Sequence, residues 1–120
     1  MRTSATPETK IADHEELLTI RTGVPIEVIG AFCERWHVGE LAVFGSVLRD
    51  DFGPDSDTDI LIRFNTTNTP GLFGIARMEM ELGDLFGRKV DLVTHAAVEA
   101  SRNYIRRKAI LGSAQVVYVA

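Results

Sequence analysis

Gly45 and Ser46 follow a four-residue apolar run, Leu41-Ala42-Val43-Phe44, and ten residues after Ser46 the chain reads Asp57-Thr58-Asp59 at the head of a second apolar run. Carboxylates two positions apart on an extended strand point to the same side, so Asp57 and Asp59 are expected to converge. Such a pair suits Mg²⁺, which takes oxygen ligands, keeps several waters and is usually held by one or two carboxylates together with nucleotide phosphates. A glycine followed by a serine at a strand-to-helix turn lets the backbone approach a ligand and offers amide N–H groups and a hydroxyl to anionic oxygens. The two halves read as a phosphate pocket beside a metal site. Farther along, Val90-Asp91-Leu92-Val93 sets one carboxylate in a short apolar strand, where an unpaired charge is costly to bury. Either Asp91 faces a cation, which is the preferred reading, or the strand is an edge whose acid meets solvent or Lys89.

Gly45-Ser46, Arg49 three positions after the serine, the ten-residue gap and Asp57-x-Asp59 together resemble the signature of the DNA polymerase β-like nucleotidyltransferase superfamily. The short length and the Phe44-Gly45-Ser46 context are similar to its minimal nucleotidyltransferase branch, found in prokaryotes. The resemblance is strong from Leu41 to Leu92 and weak in the C-terminal segment. It implies an α/β nucleotidyltransferase fold with two Mg²⁺ ions, Asp91 completing a site begun by Asp57 and Asp59. It also implies that Ser46 and the Gly45 turn hold the β- and γ-phosphates, with ATP as the substrate, although no residue reads adenine. Arg49 is then suited to phosphate oxygens, or to anchoring the loop through Asp50 or Asp51. In this branch many members are encoded beside a toxic ribonuclease of the HEPN type, and some neutralise it by transferring AMP onto one of its tyrosines. The expected function is therefore a Mg²⁺-dependent protein adenylyltransferase, the antitoxin of a HEPN-type partner. Two other classes are weighed against it. A non-catalytic subunit that acts by occlusion has no need of three converging acids. An enzyme that modifies a small molecule such as an aminoglycoside generally carries a further helical domain, for which no segment is expected here.

The elements that must position these residues follow from periodicity. Asp13 and Glu16 resemble a capping box ahead of Leu17, Leu18 and Ile20. Ile26, Val28, Ile29, Phe32, Cys33 and Trp36 form one stripe of a helix over 25–37, with Pro25 at its first turn. Trp36 reads as core packing rather than a stacking platform. Leu41–Phe44 reads as a central strand covered on both faces, and Ser46–Asp50 as a short helix. The second strand, Thr58–Phe64, has Ile60, Ile62 and Phe64 on its core face and Arg63 on the side of the acids, where solvent is the favoured reading. Thr69-Pro70 is expected to cap a helix with the stripe Leu72, Ile75, Met78, Leu82, Leu85 and Phe86, closed by Gly87, while Glu79, Glu81 and Asp84 are solvated. His95 reads as a surface residue at a strand end. A single helix over 96–111 ends at Gly112 and carries Arg102, Arg106, Arg107 and Lys108, whose simplest role is to favour the helix dipole. Ala114–Val119 is the last strand. The sum is a small mixed sheet of about four strands flanked by helices.

The 120 residues are enough for one domain, read as 12–120 behind a poorly ordered terminus at 1–11. No apolar run reaches the roughly 20 residues that span a bilayer, and the N-terminus lacks a signal-like apolar core. Cys33 is the only cysteine, so no internal disulfide forms and a cytoplasmic location is expected. A net charge of −4 argues against a broad nucleic-acid footprint, which needs many Lys or Arg contacts to phosphates. Homo- or hetero-oligomeric assembly is left open by the sequence.

Overall fold

A computed structural model describes residues 7–120 of the chain, with side-chain surroundings from residue 14 onward. The first six residues of the irregular terminus expected over 1–11 lie outside the described part. Helix α1 (Pro7–Thr22) opens ahead of the Asp13–Glu16 pair, which therefore lies inside a helix and does not cap one. Helix α2 (Ile26–Trp36) follows Pro25, whose φ of −67° suits the residue ahead of a first turn. It buries Ile29, Phe32 and Cys33, and His37 closes it with a left-handed φ of 59°.

Four strands, β1 (Val38–Phe44), β2 (Thr58–Phe64), β3 (Val90–Thr94) and β4 (Gln115–Val119), form one mixed sheet in the order β3-β2-β1-β4. β1 is antiparallel to both β2 and β4, whereas β2 and β3 run parallel. A parallel pair needs a crossover, supplied here by α3 (Leu72–Phe86). One face of the sheet packs Val43, Ile60 and Ile62 against Phe32, Met78 and Leu82. The opposite face buries a smaller group, Ala42, Phe44 and Leu61, under Val98 and Ile110. β1 is thus covered on both sides, as its unbroken apolar run implies. Leu61, on the acid-bearing side of β2, belongs to this second core.

Several local expectations change in three dimensions. Thr69-Pro70 does not cap α3; its N-cap is Gly71, without a side-chain bond. Pro70 instead lies over the helix, where a Cβ on Gly74 would collide with the Pro70 Cβ, so this helical glycine makes room for the proline. The buried stripe is Met78, Leu82 and Phe86, while Leu72 and Leu85 turn outward. Gly87 does close the helix, with a φ of 65°. Glu79 and Glu81 are not simply solvated. The Leu92 N–H donates to Glu79 Oε2 at 2.8 Å, and Glu81 accepts from Trp36 Nε1 at 3.0 Å while pairing with Arg35. Trp36 is half-buried against Phe32, at 6.4 Å between ring centroids.

The single C-terminal helix is broken into α4 (His95–Glu99) and α5 (Tyr104–Ser113). Ser101 Oγ accepts the Asn103 N–H at 3.1 Å, and Asn103 Oδ1 accepts the Arg106 N–H at 3.0 Å, so side chains take over the backbone donors and start a new helix. Gly112 lies inside α5 rather than ending it. Arg106, Arg107 and Lys108 consequently sit in the first half of α5, so the dipole reading of the basic cluster fails.

Candidate active site

Gly45 stands at the C-terminal end of β1 and opens a 3₁₀ turn (Gly45–Leu48) with a φ of 74°. That left-handed backbone suits glycine. A second reason is local, because a Cβ here would fall on Asp59 Oδ2. The glycine is what lets the carboxylate of β2 lie against the end of β1. Ser46 adds two contacts. Its backbone N–H lowers the proton affinity of Asp59, and its hydroxyl donates to the Asp57 carbonyl at 2.8 Å, tying together the two ends of the loop they bracket.

Asp59 is half-buried at the head of β2, opposite Phe44 on β1 and in register with Asp91 on β3. Parallel partners in register share a face, so the two carboxylates point the same way. Burial is the chief influence raising the Asp59 carboxyl above its ordinary range, followed by the negative charges of Asp91 and then Asp57. The Ser46 N–H and the Arg49 charge act in the other direction without cancelling it. Asp57 is exposed and precedes the strand. Asp57 and Asp91 therefore each lie close enough to Asp59 to oppose its ionisation, and the serine turn meets Asp59 from the end of β1. Among the described residues, no three acidic, imidazole or thiol groups close on a common point. The donor set is oxygen-only and electronegative, which fits a hard cation in chemistry.

Arg49 is exposed, and its Nε pairs with Asp51 Oδ1 at 3.2 Å, the loop-anchoring alternative anticipated for it. Arg63 points toward solvent, with Nη2 donating to His95 Nδ1 at 3.1 Å. An arginine can only donate, so the neutral imidazole carries its proton on Nε2, 4.0 Å from Glu40 Oε2. His95 is accordingly half-buried rather than a plain surface residue, and burial together with Arg63 lowers its proton affinity. Beyond Asp91 on the same face, Val93 helps line a cavity of about 130 Å³ whose wall includes Arg106 and Arg107. Arg107 is held there by donating to the Ser101 carbonyl at 2.8 Å.

Two arginines that the sequence did not single out, Arg21 and Arg88, reach the 45–57 loop from outside it. Neither carries a local signal. One lies in the last turn of α1, and the other follows the glycine that ends α3.

Comparison with known proteins agrees with this arrangement. Residues 26–114 match the model of the nucleotidyltransferase domain family. The protein adenylyltransferase MntA of Thermococcus cleftensis is 39% identical over 67 residues, covering 56% of this chain and 66% of that protein. The chain thus spans just under two thirds of the length of the first curated relatives it matches, 65% and 66%. A toxin–antitoxin structure with AMP-PNP superposes with a TM-score of 0.61 at 14% identity, covering 78% of this chain and 73% of that one. A complex of the tri-AMPylated Shewanella oneidensis HEPN toxin with its MNT antitoxin gives a TM-score of 0.57 at 13% identity, over 86% of this chain and 73% of that one. At such identities the two superpositions speak for the fold alone. The extent of the family match, together with the glycine–serine turn packed on Asp59, shows that the chain belongs to the nucleotidyltransferase domain family.

Proposed function

We propose that this chain is a protein adenylyltransferase that transfers AMP from ATP to a tyrosine hydroxyl of a HEPN-type toxin and thereby acts as its antitoxin. The observation that carries the reading is Asp59, held in register with Asp91 and seated where a Gly45 side chain would be. A module that only occludes its partner has no use for carboxylates brought together at the cost of mutual repulsion. The name of the Thermococcus relative and the toxin–antitoxin complexes among the fold neighbours support the substrate and partner classes.

Asp57, Asp59 and Asp91 would hold Mg²⁺, which supplies positive charge at the transferred phosphorus and along the departing pyrophosphate. The loop N–H groups that follow Gly45 are suited to the β- and γ-phosphates. The Ser46 hydroxyl donates to the Asp57 carbonyl, a bond it would have to leave to meet a phosphate oxygen. In the transfer the acceptor oxygen bonds to the α-phosphorus, the bond from that phosphorus to the bridging oxygen breaks, and pyrophosphate leaves. Asp91, on β3 beside Asp59, would take up the hydroxyl proton on the acceptor side. We place this reaction in the cytoplasm, consistent with the lone cysteine; among the described residues no helix is long and apolar enough to cross a membrane.

The test is incubation with labelled ATP, Mg²⁺ and the product of the adjacent reading frame. Label on a tyrosine of that protein, lost in Asp57→Asn, is the expected result. Neutralisation that persists in Asp57→Asn without any label would overturn the enzymatic reading in favour of occlusion.

A further inference from the structure

The loop from Gly45 to Asp57 carries the serine at one end and an acid at the other, and apart from the Ser46–Asp57 bond its own bonds are short-range. Inside it the Arg49 N–H reaches the Ser46 carbonyl at 2.9 Å, the Phe52 N–H the Arg49 carbonyl at 3.2 Å and the Ser56 N–H the Gly53 carbonyl at 3.0 Å, while the Ser56 hydroxyl accepts the Gly53 N–H at 3.0 Å. Only Val47 is buried. Leu48 and Phe52 pack on the core, but the turn bonds stay within the loop and leave other elements to tie it down.

Two guanidinium groups from outside do so. Arg21, at the end of α1, donates through Nη1 to the carbonyls of Val47 (3.0 Å) and Arg49, and its Nη2 lies 3.5 Å from Asp50 Oδ1. Arg88, between α3 and β3, donates through Nη1 to the carbonyls of Gly53 (2.9 Å) and Ser56 (3.2 Å). Its guanidinium also lies over the Phe52 ring, 4.4 Å from the centroid. The next peptide continues the attachment, since the Lys89 carbonyl accepts the Thr58 N–H at 3.0 Å. Arg21 thus grips the serine half and Arg88 the acid half, each through two carbonyls, of which those of Arg49 and Gly53 also accept an N–H from within the loop. Both side chains are half-buried, and neither belongs to the acid cluster.

We propose that Arg21 and Arg88 are positioning residues that hold the two halves of the nucleotide loop in register with Asp59. A guanidinium is suited to this task, because the two N–H groups of one Nη are fixed in a plane toward two carbonyls and, at Arg88, that plane stacks on the ring as well. Lysine supplies the charge without the plane, so Arg88→Lys keeps the fold but loosens the loop. The functional part of the inference rests on the nucleotidyltransferase reading; the mechanical part does not.

The experiment is amide hydrogen exchange on the full chain, wild type against Arg21→Ala, Arg88→Ala and Arg88→Lys, followed by calorimetric titration with ATP and Mg²⁺. Exchange is expected to quicken about tenfold at Arg49 and Phe52 in the Arg21 variant and at Ser56 and Thr58 in the Arg88 variants. Val43 and Ile60 should stay protected and so certify the fold. ATP affinity should fall at least tenfold in both alanine variants, and millimolar guanidinium should restore part of it in Arg88→Ala but not in Arg21→Ala combined with Arg88→Lys. Unchanged loop exchange overturns the clamp whatever the nucleotide does. Faster exchange with wild-type ATP affinity overturns its functional part. A wild type that binds no ATP while the variants loosen the loop retains the clamp and defeats the nucleotidyltransferase reading instead.

Discussion

Asp59 is the residue at which fold and chemistry oppose each other. Its carboxyl is raised by burial first and by Asp91 and Asp57 next, so the folded chain holds that proton more tightly than the unfolded chain does. The native state then binds more protons than the unfolded state at pH values just above the ordinary carboxylate range, and the stability Asp59 contributes declines as pH rises through that interval. At neutral pH the ionised acid is a net cost, reduced by its partial contact with solvent. Asp59→Asn should accordingly stabilise the ligand-free protein by roughly 0.5–1 kcal/mol, the scale of partly solvated charge interactions. A rise in the urea midpoint at unchanged slope is the measure, and a fall would show that Asp59 is structurally paired rather than crowded. The same variant should lose metal-dependent binding of ATP.

At the scale of elements, the junction of β1, the 3₁₀ turn and β2 depends on Gly45 twice over, through its φ of 74° and through the space it leaves for Asp59. Gly45→Ala should cost about 1–3 kcal/mol from the strained backbone alone and should also displace the carboxylate. Thermal unfolding and ATP titration report the two effects separately, and an alanine variant with normal ATP affinity would remove the close approach from the account. This junction was legible in the sequence because each of its parts is local: an apolar run, a glycine, a fixed gap and a pair of acids at strand spacing. The partners of Glu79 and Glu81 were not legible, since an acid on a helix flank looks the same whether it faces water or the N–H of a strand thirteen residues on. The break between α4 and α5 was hidden for a related reason. Ser101 and Asn103 are ordinary on a helix surface until their side chains capture backbone donors, and only the geometry shows which they do. The clamp by Arg21 and Arg88 lies farthest from sequence, because it joins positions whose separations carry no period.

Across the whole molecule, the two faces of the sheet are unequal. One is sealed by α2 and α3, and the other is partly roofed by α4 and α5, which leaves Asp59 and Asp91 half-exposed at the end away from Arg63 and His95. The Glu40–His95–Arg63 contact bridges β1, α4 and β2 on that second face. Burial and then Arg63 depress the His95 proton affinity, while Glu40 and Glu99 oppose them incompletely. The unfolded chain therefore takes up the imidazole proton first. Stability from this site is whole above the ordinary histidine range and is lost as pH falls from there through the lower folded value. His95→Gln should flatten the part of the acid profile that lies just below the ordinary histidine value of about 6.5, read as the pH dependence of the urea midpoint. A steeper decline in the variant would mean that Glu40 dominates.

The Glu79 carboxylate that takes the Leu92 N–H sits on the outer strand of the sheet. An amide already occupied by its own chain is not open to a foreign strand, so one donor is removed from the β3 edge and pairing there is disfavoured. The same side chain that looked like idle surface charge thus works against edge-to-edge association, by taking a backbone donor out of reach of a second molecule.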